Sequence, residues 1–200
     1  MPAPRPPGSD ECIANNHGLA AAVFAELQWQ GRIVAVEADR FVVRSDRAPS
    51  YTALSLAEEA LEDRRPMKLK TCISKMPTKA LRTALLHELV DLGALSEESE
   101  RYFLILRRTR WRSQPGSPEE TLIEHLRSHV AAATAATPPG REDILLSLLR
   151  GTGLLETVWT EAELERLKPA IDARTARAPI GRTVREMIIA TQAAIVAAVS

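Results

Sequence analysis

Apolar residues in this chain recur at three- and four-residue spacing, in runs cut short by glycine or proline. Each run therefore carries one apolar stripe, and a stripe is stable only when buried against another element. Leu19, Val23, Phe24 and Leu27 predict a helix over about 18–30, ended by Gly31. Leu54, Ala57 and Leu61 predict a second over about 54–64, with Glu58, Glu59 and Glu62 outward and Pro66 as its breaker. Thr78 is placed to cap a helix with inner face Leu81, Leu85, Leu89 and Leu92, and Gly93 stands where a left-handed C-cap belongs. Ser117-Pro118-Glu119-Glu120 opens another, whose buried face is Leu122, Ile123, Leu126 and Val130. Ile144, Leu145, Leu148 and Leu149 mark the next, closed by Gly151 and Gly153. Thr160 opens one to about Leu167, and a last helix runs from Val184 to Val199. The β-branched stretches 32–37 and 41–44 read as a hairpin, and Tyr102–Leu106 as an apolar strand. The expected fold is mainly α, a compact helical bundle with two small β-hairpins. Proline-rich residues 1–17 read as a flexible leader and residues 18–200 as the domain.

The chemistry of the chain is sparse. Two hundred residues suffice for one core. Cys12 and Cys72 offer no disulfide framework, so a reduced cytoplasmic setting is expected. The longest nearly apolar stretch, Met187–Val199, falls short of the roughly 20 residues a bilayer requires. His125 and His129 share a helical face, but the glutamate precedes the first histidine, which is not the zinc-protease order; both are read as solvated. Gly151-Thr152-Gly153 lacks the strand that a phosphate loop follows. Cys72 lies among lysines that would lower its pKa, yet a lone thiol makes no catalytic site. No catalytic residue, metal or cofactor is expected, and the chain is not read as an enzyme.

Charge is where the sequence is informative. Lysine plus arginine balance aspartate plus glutamate at 26 each, but the distribution is uneven. Residues 66–86 hold Lys68, Lys70, Lys75, Lys79 and Arg82 with no acid, and 101–118 hold Arg101, Arg107, Arg108, Arg110 and Arg112 with none. Two concentrated basic patches attract anionic surfaces whatever the total charge. Lys79 and Arg82 are three apart on one helix, near its N-terminal amides, and can converge on a phosphate. Further along the chain, Tyr102, Phe103, Leu104, Ile105 and Leu106 run into Arg107, Arg108, Arg110, Trp111 and Arg112. That pairing of apolar and basic residues suits a membrane interface. A basic hairpin after a helix also suits a winged-helix contact with nucleic-acid phosphates.

The order of these motifs resembles one family. Leu19–Leu27 followed by Gly31-Arg32-Ile33, Glu58-Glu59-Ala60-Leu61, Leu89-Val90-Asp91-Leu92-Gly93-Ala94-Leu95, Tyr102–Leu106 and Gly153-Leu154-Leu155 are similar, in sequence and spacing, to segments of the Golgi phosphoprotein 3 family. The resemblance covers about 18–199. It implies a mainly helical, non-enzymatic, peripheral membrane protein. Eukaryotic members bind phosphatidylinositol 4-phosphate on the Golgi and contact glycosyltransferase tails. It places the family's headgroup-binding basic pair on Lys79 and Arg82, and the hairpin linked to oligomerisation and membrane contact on residues 102–112. It also puts the family's helix arginine at Ala20 and finds no tryptophan before Trp29. The alanine- and arginine-rich composition points to a bacterial relative. The expectation is a cytoplasmic protein peripherally associated with anionic phospholipid, with homo-oligomers through the hairpin and protein clients as further partners. The alternatives are an oligomerising interaction scaffold without lipid specificity and a winged-helix-like nucleic-acid binder.

Overall fold

The computed structural model describes residues 9–37, 39–44, 51–62, 65–102, 106–132 and 140–199, with backbone alone at 9–12, 99–102, 106–108 and 198–199. Among them are eight α-helices and two small antiparallel sheets, so the mainly α expectation holds. The helices are α1 (Ser9–Trp29), α2 (Thr52–Ala60), α3 (Leu69–Lys75), α4 (Thr78–Asp91), α5 (Pro118–Ala131), α6 (Arg141–Thr152), α7 (Glu161–Thr175) and α8 (Ile180–Val199). The strands are β1 (Ile33–Glu37), β2 (Arg40–Val43), β3 (Met67–Lys68), β4 (Leu95–Tyr102) and β5 (Leu106–Ser113). Helix α1 begins at Ser9 rather than near Gly18, so residues 9–17 of the expected leader are helical. Residues 1–8 lie outside the described residues.

Helix α1 is the hub. Ala20, Ala21, Phe24 and Leu27 are fully or almost fully buried, against Leu54 and Ala57 of α2, Cys72 and Ile73 of α3, Leu81 of α4 and Val184 of α8. The edge of Phe41 on β2 meets the Phe24 ring at 5.1 Å, an aromatic contact that holds the first sheet onto α1. A second core lies on the far side of α6, where Leu146 meets Leu126 and Val130 of α5, Trp159, and Ile171 of α7.

Two of the resemblance motifs are joined physically. Arg32, after Gly31, donates from Nε and a terminal nitrogen to both carboxylate oxygens of Glu58, at 2.5 and 2.8 Å. Both side chains are mostly buried, so the fork is shielded from water and from salt. Glu58→Ala is expected to cost about 2 kcal/mol of folding stability, the range for a hydrogen bond to a charged group. Urea unfolding of Glu58→Ala, Arg32→Ala and the double variant measures it. A coupling energy near zero would show that the pair contributes nothing.

Several sequence expectations are corrected. Helix α3 and strand β3 occupy 67–75, where no element was expected. On α4 the predicted inner face holds at Leu81 and partly at Leu85, but Leu89 is exposed and Leu92 is 71 % exposed, because both border an open apolar cleft between α1, α2 and α4. Leu122 is likewise exposed. Of the expected strand Tyr102–Leu106, Tyr102 ends β4 and pairs with Leu106, which starts β5, and 103–105 lie outside the described residues. Gly93 closes α4 with φ 71°, as expected. Gly153, not Gly151, closes α6, with φ 79°.

Candidate functional site

Helix α4 presents the first basic patch. Pro77 occupies the N-cap position, so no side chain caps this end, and Thr78 is the first helical residue instead of the cap. Leu81 N–H is the first to bond back, to the Pro77 carbonyl. The amides of Lys79 and Ala80 therefore face outward at the positive end of the helix dipole. An open cleft runs beside them, lined by Met76, Pro77, Thr78, Lys79 and Thr83. Lys79 and Arg82 are exposed and form no ion pair among the described residues. Of the other cations in that window, Lys70 Nζ lies 2.6 Å from Glu186 Oε2 of α8 and Lys75 also has a partner, while Lys68 is exposed on β3. Lys79 and Arg82 are exposed charge in the first two turns of a helix whose start no side chain caps.

The hairpin presents the second patch in altered form. Its register sets Glu98 opposite Arg110, Glu100 opposite Arg108, and Ser96 opposite Arg112. Arg112 Nε reaches diagonally to Glu98 Oε2 at 2.7 Å. Arg107, Arg108, Arg110 and Arg112 therefore lie on one strand of a ribbon, β5, whose other strand, β4, carries Glu97, Glu98 and Glu100 beside Arg101. Over 95–113 five arginines face three glutamates, a net +2. Arg101 and Arg107 pair near the tip, so the surplus charge is concentrated there. Phe103, Leu104 and Ile105 lie outside the described residues, as do the side chains of Tyr102, Leu106, Arg107 and Arg108. Trp111 is partly buried, with its ring 5.6 Å from His87 of α4 in an edge-on contact. It pins the hairpin to α4, so the two basic patches belong to adjoining elements.

Among the described residues, no group of three histidine, cysteine or acidic side chains could hold a metal. His129 is not the solvated group expected from sequence. Its Nε2 donates to Asp143 Oδ1 at 2.8 Å, and Asp143 is fully buried. Cys72 is also corrected. Burial pushes its thiol up to about 11, outweighing the lowering by Lys75. In a Cys12→Ser background, a thiol reagent at pH 8 is expected to modify Cys72 at least about a hundredfold more slowly in the folded chain than in urea. Equal rates would place the thiol at the surface.

The sequence matches the family model described as Golgi phosphoprotein 3 (GPP34) over residues 5–191. The chain belongs to the Golgi phosphoprotein 3 family. No curated protein matches it. The Golgi phosphoprotein 3 motifs named above now have positions: Gly31-Arg32-Ile33 and Glu58–Leu61 meet through the buried ion pair, and Leu89–Leu95 leads from α4 into the hairpin. Ala20, where the resemblance places the family's helix arginine, has no exposed surface. A guanidinium there would enter the core without water. Trp29 is half-exposed, and Arg141 lies over its ring at 5.4 Å while pairing with Glu26 at 2.7 Å. Among the described residues no helix is long and apolar enough to cross a membrane.

Proposed function

We propose that this Golgi phosphoprotein 3 family member is a non-enzymatic peripheral membrane protein that binds anionic phospholipid headgroups through Lys79 and Arg82. The observation that carries the reading is the exposed pair of cations, without acidic partners, beside the uncapped start of α4. Amides and two cations together offer charge-assisted donors to a phosphate. The 102–112 hairpin, held to α4 through Trp111 and His87, would rest on the same anionic surface. Phosphatidylinositol 4-phosphate is the ligand that family membership brings forward. With alanine buried at position 20, selectivity for it rests on fewer donors than in the family pattern.

Co-sedimentation with neutral, generally anionic and phosphatidylinositol 4-phosphate-containing vesicles, at matched charge, tests this. The parent is expected to sediment with both anionic kinds and not with neutral ones. Two cations near an anionic leaflet contribute about 2 kcal/mol, so Lys79→Ala/Arg82→Ala should bind roughly thirtyfold more weakly. Preference for the phosphoinositide would establish headgroup selectivity, and equal binding would establish recognition by charge. Binding unaffected by the double substitution would sink the assignment to these residues. Binding to none of the vesicles would leave the oligomerising scaffold, tested by the elution volume of a variant lacking the hairpin.

A further inference from the structure

A second cluster of cations lies away from α4, where α6, α7 and α8 meet. Helices α6 and α8 cross at glycine on glycine. A side-chain carbon on Gly151 would strike the Gly181 carbonyl, and one on Gly181 would strike the Ser147 carbonyl. Ser147 Oγ donates to the Ala178 carbonyl and accepts from Gly181 N–H at 3.1 Å, which fixes the crossing. This closeness brings the neighbours of the two glycines, Arg150 and Arg182, together with Arg185 one turn further along α8. All three line one open cavity of about 720 Å3.

Acidic compensation in that cavity is small. Asp172 is the acid lining it, and its Oδ1 is held by Arg150 at 2.5 Å. Arg150 also donates to Thr175 Oγ1 at 2.7 Å, while the Thr175 hydroxyl donates to the Ile171 carbonyl. Glu186, nearby on α8, lies near Arg182 but is bound by Lys70. Arg182 and Arg185 are exposed and form no ion pair among the described residues. Three arginines against one aspartate leave the lining at net +2. With Arg150 held by Asp172, the surplus charge of the lining rests on Arg182 and Arg185.

We propose that this cavity is a binding site for a phosphate monoester, distinct from the α4 end. A monoester near pH 7 carries about −2 and three acceptor oxygens, which matches the charge of the lining and the planar forks of Arg182 and Arg185. Arg150, oriented by Asp172 and Thr175, supplies the third wall. The chemistry is shared by a soluble phosphate ester and by a lipid with a terminal phosphate, so the test has an arm for each.

Calorimetric titration of the full chain with phenyl phosphate, a soluble monoester, probes the soluble arm. Co-sedimentation with phosphatidylcholine vesicles doped with phosphatidic acid probes the lipid arm. The variants are Arg182→Ala/Arg185→Ala and, for the other site, Lys79→Ala/Arg82→Ala. Since Arg182 and Arg185 are exposed, their loss should leave the melting temperature close to the parent's. Binding in either arm that weakens at least about tenfold in the α8 variant and persists in the α4 variant supports the site. Binding lost only in the α4 variant overturns it and leaves the α4 reading standing. Binding in neither arm, or binding indifferent to the α8 variant, also overturns it.

Discussion

Asp143→Ala is expected to cost about 3–5 kcal/mol of folding stability, the range for removing one partner of a buried ion pair. Asp143 sits in the first turn of α6 with no exposed surface. Its Oδ2 accepts from Gly140 N–H at 3.1 Å, and its Oδ1 accepts from His129 Nε2 and lies 3.5 Å from a terminal nitrogen of Arg174. The Arg174 side chain is 4 % exposed, and its Nε and one terminal nitrogen have no hydrogen-bond partner among the described residues. Asp143 is thus the main counter-charge of a guanidinium held away from water. Its removal leaves that charge uncompensated and unlocks α5, α6 and α7 from one another. Urea denaturation measures the loss. Converting both residues together, as Asp143→Leu/Arg174→Met, is expected to recover much of it, since an apolar pair carries no desolvation cost. A loss below about 1 kcal/mol for the single variant would show that water already reaches Arg174.

The second large effect concerns Gly181. Gly181→Ala is expected to cost about 3 kcal/mol or more, at the upper end for overpacking. The obstruction is the Ser147 main chain, which cannot swing aside as a flexible side chain would. Relief requires α6 and α8 to separate, which breaks both hydrogen bonds of Ser147 Oγ and loosens the apolar contacts around Leu148, Val184 and Ile188. Gly93→Ala makes the comparison. It has φ 71° and nothing within 4 Å of an added carbon, so it meets only backbone strain of about 1 kcal/mol. Thermal unfolding of the two variants side by side should show a much larger fall for Gly181→Ala. Equal falls would mean that the helix crossing yields easily.

What the sequence made legible was local. Gly93, Pro118 and Thr160 act within a few residues, and each stands where its chemistry predicts. The short helix α3 was hidden because its seven residues span too few turns to show a period. Strand β4 was hidden because its residues are acidic and polar: its place is set by pairing with β5, which no pattern within 95–102 reveals. For the same reason the basic window 101–118 looked less compensated than it is. Lys79 and Arg82 were legible because an acid-free stretch on one helix is a local fact. Arg150, Arg182 and Arg185 were not, since two glycines in separate helices bring them together. Asp143 was not legible either: the stripe read from the sequence is Ile144, Leu145, Leu148 and Leu149, whereas the structure buries Asp143 beside Leu146 and Ser147.

Helix α6 has a consequence for how the molecule comes apart. Leu148 belongs to the core around α1, and Leu146 to the core of α5 and α7. A twelve-residue helix that walls both chambers makes them share one fate. Neither half can melt while the other persists without stripping a face from α6, so heat should dismantle the two cores in a single cooperative step. Amide protons in the middle of α6 would then be among the last to exchange with solvent, and the chain behaves thermally as one unit despite its divided interior.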